Sequence, residues 1–204
     1  MALGEGMVAA LTQLSPWEAV AVILAVAYLL LAMRESAWCW YCAFASTAIY
    51  TALLWHASLL MQSLLNGYYM AMAVYGWWQW RRGGTSHEGV AISRWPWRRH
   101  GLLGVAVALA AAVTGYMLDT TSDAAWPYVD SLITWGSVAV TWMVAKKILE
   151  NWLYWIVINS VCIFMYFDRG LYLSSTLFAF YVVIAIFGYY SWRSSERQAD
   201  VSFA

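Results

Sequence analysis

Asn151-Trp-Leu-Tyr-Trp-Ile-Val-Ile-Asn159-Ser-Val-Cys-Ile-Phe-Met-Tyr-Phe167 is an unbroken apolar segment bounded by charge, with Lys146, Lys147 and Glu150 before it and Asp168-Arg169-Gly170 after it. As a helix rising about 1.5 Å per residue it crosses most of a hydrocarbon layer about 30 Å thick. Trp152, Trp155 and Asn159 stand at i, i+3 and i+7, so they share one helix face. Asn159 falls at mid-span, where no water can satisfy its amide. It must therefore face protein, a cavity or a substrate.

The rest of the chain has the same character. Its 204 residues are 63% hydrophobic and only 11% charged, with mean hydropathy +0.60; soluble domains carry about 25% charged residues. The apolar runs are continuous rather than alternating, and three prolines and thirteen glycines are too few for the frequent turns of a β-barrel. An integral membrane helical bundle is predicted. No basic region precedes the first apolar run, so no cleaved signal peptide is expected. Cys39, Cys42 and Cys162 all lie in apolar runs. The Cys39-x-x-Cys42 spacing lacks the βαβ context of a redox motif and reads as packing.

Seven spans are predicted: Trp17–Met33, Ala37–Trp55, Leu59–Trp80, Leu102–Leu118, Trp126–Ala145, Asn151–Phe167 and Leu171–Trp192. Short connections make successive helices antiparallel neighbours. The exception is the long, Arg-, Gly- and Trp-rich segment Arg81–His100, expected to be a linker that could hold a surface helix. Seven spans place ten of the eleven lysines and arginines on one side, leaving only Arg169 on the other. By the positive-inside rule the N-terminus lies outside and the C-terminus in the cytoplasm. Asp119, Asp123 and Asp130 then lie on the outer side.

A gapless internal repeat runs at an offset of 112. Val26-Ala27 matches Val138-Ala139, and Trp40 matches Trp152. Leu59, Ser63, Leu65 and Tyr69 match Leu171, Ser175, Leu177 and Tyr181. Ala73, Gly76, Trp80 and Arg81 match Ala185, Gly188, Trp192 and Arg193. Glu18/Asp130 and Arg34/Lys146 are conservative pairs. Three helices per half, with one between, give both halves the same orientation. The predicted fold is thus an all-α membrane protein, two parallel three-helix repeats joined by one linking helix (3+1+3). Residues 17–80 form the first repeat, 81–125 the basic linker and connecting helix, 126–192 the second repeat and 193–204 a cytoplasmic tail. Parallel repeats place a substrate site at their interface near the midplane.

No span carries an ionisable group at mid-depth, so no proton relay is expected; sodium sites built of hydroxyls and carbonyls remain open. His56, His87 and His100 are too scattered for a metal site, and no nucleophile–base pair or phosphate loop stands out. Neither an enzyme nor a cofactor is expected. Amides and aromatics remain: Asn159 and its counterpart Thr47 at mid-depth, and Gln62, Asn66 and Tyr69 at i, i+4 and i+7. A mid-membrane Asn can be mere interhelical glue worth about 1 kcal/mol. Trp17, Trp38, Trp55, Trp77, Trp78, Trp80, Trp126 and Trp192 sit at span ends and are expected in interfacial belts. Trp152, one residue into its helix, could join them, whereas Trp155 lies a full turn deeper and favours ligand stacking. Ser174, Ser175 and Thr176 are expected to bond back to their own helix.

Glu150-Asn151-Trp152-x-x-Trp155-x-x-x-Asn159, Gly170-Leu171-Tyr172-Leu173 and Gly188-Tyr189-Tyr190-x-Trp192 together resemble the PnuC family of vitamin transporters. The likeness covers essentially the whole chain. It implies nicotinamide riboside as substrate, with Trp152, Trp155 and Asn159 as its motif residues. It also implies facilitated diffusion into a bacterial cytoplasm, trapping by a cytoplasmic riboside kinase, and a homotrimer; no nucleic-acid partner is expected. A Trp face suits the flat, cationic pyridinium ring, and a side-chain amide suits the carboxamide. Gln62, Asn66 and Thr47 are candidates for the ribose hydroxyls. No arginine or helix N-terminus is evident at mid-depth to hold a phosphate, so phosphorylated nicotinamide should be refused. Alternatives are thiamine or another B vitamin, a sugar carrier like the SWEETs with their two parallel three-helix repeats, or a receptor or scaffold that transports nothing.

Overall fold

The computed structural model describes residues 15–56, 60–84, 87–122 and 126–202. Leu59, where the third predicted span begins, and Asp123 lie outside them. The described residues form seven α-helices: α1 (Pro16–Met33), α2 (Cys39–His56), α3 (Leu60–Arg82), α4 (Trp97–Thr121), α5 (Pro127–Ala145), α6 (Asn151–Asp168) and α7 (Tyr172–Ser202). All seven predicted spans are present as helices. By length and composition α1, α4 and the stretch Tyr172–Gln198 of α7 are clearly apolar enough to cross a membrane, with mean hydropathies of 2.0, 2.0 and 1.7. The other four carry more Trp, Tyr, Ser, Thr, Asn and Gln than α1 or α4, which lowers their hydropathy.

Local sequence sets the helix ends. A capping box opens α1: the Glu18 N–H donates to Ser15 Oγ (3.2 Å), the Ser15 N–H donates to the Glu18 carboxylate (2.7 Å), and Pro16 follows. Pro127 likewise starts α5, but its N-cap, Trp126, is left-handed (φ 62°) and makes no side-chain cap bond. Helices α1 and α5 end alike. The Ser36 and Glu35 N–H groups donate to Leu31 and Ala32 carbonyls, and the Ile148 and Lys147 N–H groups donate to Met143 and Val144 carbonyls. This is the Schellman pattern. Glu35 (φ 55°) and Lys147 (φ 50°) occupy the left-handed position usually given to glycine, and their side chains pair across the bundle at 2.9 Å.

Two predicted boundaries shift. The connecting helix begins at Trp97 instead of Leu102, and α7 continues to Ser202, so much of the expected tail is helical. The described linker residues contain no surface helix. Ser93 instead bonds as an isolated bridge to the α5–α6 turn, donating to Lys147 O and accepting from Leu149 N–H. Arg94 forks onto Glu196 of α7, with Nη2 at 2.6 Å from the carboxylate. Charge and backbone pairing there satisfy the polar groups a free helix would have bonded internally.

Helix packing follows the repeat. Within residues 16–82, α1 packs on α2 and α2 on α3; within 127–202, α5 packs on α6 and α6 on α7. Across the two sets, α3 meets α5 and α1 meets α7, while α4 packs on α5. Individual bonds recur at the offset of 112. Trp80 Nε1 donates to Val144 O (3.2 Å) and Trp192 Nε1 to Ala32 O (2.9 Å). Ser63 Oγ donates to Thr51 O and Ser175 Oγ to Ile163 O. Trp40 meets Trp80 edge-on, as Trp152 meets Trp192, both at 5.4 Å between ring centres. Trp80 and Trp192 themselves touch at 5.8 Å.

Three expectations are corrected here. Trp80 and Trp192 are buried core residues, not belt residues, because each indole N–H finds a carbonyl on the opposite set of helices. Trp152 is only 2% exposed and is no belt residue either. Ser175 bonds across to α6 rather than to its own helix, while Thr176 does bond back, to Tyr172 O. Trp17, Trp38, Trp55, Trp78 and Trp126 are exposed as expected.

Candidate functional site

Between the two sets of helices lies a cavity of about 530 Å³, within the usual range for small-molecule sites. Helices α1, α2 and α3 line it from one side and α5, α6 and α7 from the other; α4 contributes no described lining residue. All seven residues singled out from the sequence, Thr47, Gln62, Asn66, Tyr69, Trp152, Trp155 and Asn159, are on its wall.

Their environments differ. Asn159 is 6% exposed, and its amide has no hydrogen-bond partner among the described residues. An amide so placed is costly unless something in the cavity completes it. Trp155 lies one turn before it on α6, half-buried, its ring packed against both buried clusters of the bundle. Trp152 is wedged against Gly188, where a Cβ would run into the indole, and its Nε1 has no partner. Thr47 already donates to Ala43 O at 2.8 Å, and Asn66 Nδ2 donates to Gln62 O at 3.0 Å. Thr47 therefore keeps only acceptor capacity for a ligand, and Asn66 keeps its amide oxygen and one further N–H. Gln62 is exposed at the cavity edge. Tyr69 and Ser137 line the cavity from opposite sets of helices.

Sequence reasoning missed several wall residues. Trp40 mirrors Trp152, packing on Gly76 with its Nε1 also unpartnered; the offset of 112 marked the pair, but only Trp152 lay in a recognisable motif. Thr134, Ser137 and Thr141 give α5 a polar stripe at i, i+3 and i+7, a periodicity that was present in the sequence. Tyr28, Tyr166, Phe178 and Tyr181 add aromatic surface. Asp130 is the one Asp, Glu, Lys, Arg or His among the described lining residues.

These features define a class: a helical membrane protein built around a largely neutral cavity sized for a small organic molecule. The chain belongs to the family described as nicotinamide mononucleotide transporter, which matches residues 15–194, and is accordingly a membrane transporter. It is 26% identical over 179 residues to the riboflavin/roseoflavin transporter RibM of Streptomyces davaonensis, covering 86% of this chain and 84% of that one. It is 25% identical over 169 residues to the nicotinamide riboside transporter PnuC of Escherichia coli, covering 70% and 69%. The crystal structure of the vitamin B3 transporter PnuC superposes with a TM-score of 0.68 at 21% identity, covering 94% of this chain and 87% of that chain.

Proposed function

We propose that the protein is a uniporter for nicotinamide riboside in the bacterial inner membrane, built as two parallel three-helix repeats joined by α4. The observation that carries this reading is the unpartnered amide of Asn159, one turn from Trp155, in a cavity without lysine or arginine among its described lining residues. The pyridinium ring lies on the Trp155 face, held by stacking and cation–π attraction. The carboxamide completes the Asn159 amide, which can both donate and accept. Gln62, Asn66, Thr47 and Tyr69 take the ribose hydroxyls, and Trp152 closes the end of the site. The family's description names the mononucleotide, but a phosphate in this cavity would meet Asp130 and no cation among the described lining residues, so the unphosphorylated riboside fits better.

Recurrence of interhelical bonds at the offset of 112, and an α4 that contributes no described residue to the cavity wall, support the 3+1+3 arrangement. Downhill transport agrees with a cavity lacking a mid-depth ionisable relay. The resemblance to the PnuC family extends the proposal to a homotrimer, to an external N-terminus and cytoplasmic C-terminus, and to a cytoplasmic kinase that traps the riboside.

RibM gives riboflavin a specific claim as second reading. Isothermal titration of the purified protein with nicotinamide riboside, thiamine and riboflavin separates the two. Saturable riboside binding, with weak or no response to riboflavin, is expected; tight riboflavin or thiamine binding with no riboside response would overturn the proposal.

A further inference from the structure

Glu18 and Asp130 occupy equivalent positions at the offset of 112, yet they are used differently. Glu18 turns back to cap its own helix, taking the Ser15 N–H at 2.7 Å. At the start of α5 the left-handed Trp126 precedes Pro127, no side chain caps the helix, and Asp130 has no hydrogen-bond or ion-pair partner among the described residues. Its carboxylate is exposed and faces the cavity. It belongs to the end of the cavity remote from the turns that carry Arg34, Lys146 and Lys147. Asp130 in the first turn of α5 and Cys162 and Tyr166 in the second half of the neighbouring α6 lie toward this same end. Tyr166 also lines the cavity, and its ring is stacked on that of Phe178 at 5.1 Å and 11°, with Tyr181 edge-on to Phe178 at 5.7 Å. Arg169, the cation closing α6, is engaged in an interaction of its own.

We propose that Asp130, with the stacked rings of Tyr166 and Phe178, forms a subsite at this end of the cavity that draws in flat organic cations ahead of the Trp155–Asn159 site. An unpaired carboxylate above a low-dielectric, aromatic wall focuses its field along the cavity and raises the arrival rate of cations. The aromatic faces then hold a cationic ring during passage. Neutral rings gain the stacking but not the attraction. The subsite therefore selects charge class, while the amide of Asn159 reads the ring substituents. This inference rests on the reading of the cavity as a vitamin pathway.

The test is stopped-flow binding to the full chain in lipid nanodiscs, at low and high salt, with nicotinamide riboside, its uncharged dihydro form, thiamine and riboflavin. Asp130→Asn is expected to slow association of the cationic riboside on the order of ten-fold at low salt and to flatten its salt dependence. Association of the dihydro form should be unchanged, and Asp130→Glu should keep most of the wild-type rate. Equal slowing of charged and uncharged forms, or no slowing of either, would overturn the subsite. If wild-type protein binds thiamine but not the riboside, the proposed substrate fails while the Asp130 effect is read on thiamine. If it binds riboflavin alone, both fail.

Discussion

Asn159 and Trp155 lie four residues apart on α6 and both line the cavity, but they answer different demands. Replacing Asn159 by Leu removes the side-chain amide beside Trp155, a group able both to donate and to accept. Asn159→Leu is expected to weaken riboside binding on the order of 100-fold, about 2–3 kcal/mol for a buried polar group left unpaired on the ligand. The variant should insert and melt normally; unchanged affinity in a calorimetric titration would remove Asn159 from the site. Trp155→Ala should cost affinity, whereas Trp152→Ala should cost the fold, about 3–5 kcal/mol for a buried aromatic. Thermal unfolding in detergent alongside ligand titration distinguishes the two, and a stable Trp152→Ala protein with lost binding would contradict the assignment. The α6 face was legible because a helix repeats its face at i, i+3 and i+7, so one mid-span amide fixed which side turned inward. Trp40 was not, since nothing at the start of α2 tells a lipid-facing ring from a buried one. Trp80 and Trp192 were misread for the same reason: position at a helix end is shared by belt residues and by residues that bond a neighbouring carbonyl.

At the scale of elements, α2 packs against α3, and α6 against α7, through one device used twice. Gly76 and Gly188 let an indole lie directly on the backbone, Trp40 on the first and Trp152 on the second. Gly188→Ala and Gly76→Ala are each expected to destabilise by about 1–3 kcal/mol, the usual cost of overpacking. Gly67→Ala, with open space around it, should be neutral or stabilising. Equal melting temperatures for the three variants would contradict this packing account. The repeated Gly-aromatic-aromatic-x-Trp-Arg endings announced these helices, because so unusual a pattern rarely recurs by chance. The linker was less legible. Its Arg, Gly and Trp content suits either a surface helix or an extended segment, and what decides is a partner outside it: the α5–α6 turn that pairs with Ser93, and Glu196 that takes Arg94.

For the whole molecule, the proposed parallel orientation of the two sets has a direct consequence. The turns after Met33 and Ala145, and the linker after Arg82, all share one face, where Lys147 meets Glu35 and Arg94 meets Glu196. Single cysteines placed at Arg94 and at Arg169 in a protein freed of its three native cysteines should therefore label from opposite sides of the membrane, position 94 from the cytoplasm. Labelling of both from one side would refute the arrangement. Seven helices, and a cavity wall with little charge among its described residues, were readable from hydropathy and spacing, since each is a property of residue order. How the cavity's polarity is shared between the halves was not, because it depends on which equivalent residues cap themselves and which are left unpaired, as Glu18 and Asp130 show. The central claim is that a largely neutral aromatic-and-amide cavity carries nicotinamide riboside across the bilayer downhill. Its most direct test is uptake of labelled riboside into proteoliposomes without any pH or sodium gradient. Saturable uptake that stops at equal concentrations inside and out, and is abolished by Asn159→Leu, is predicted. Absence of saturable flux, or uptake that appears only when a gradient is imposed, would contradict the account.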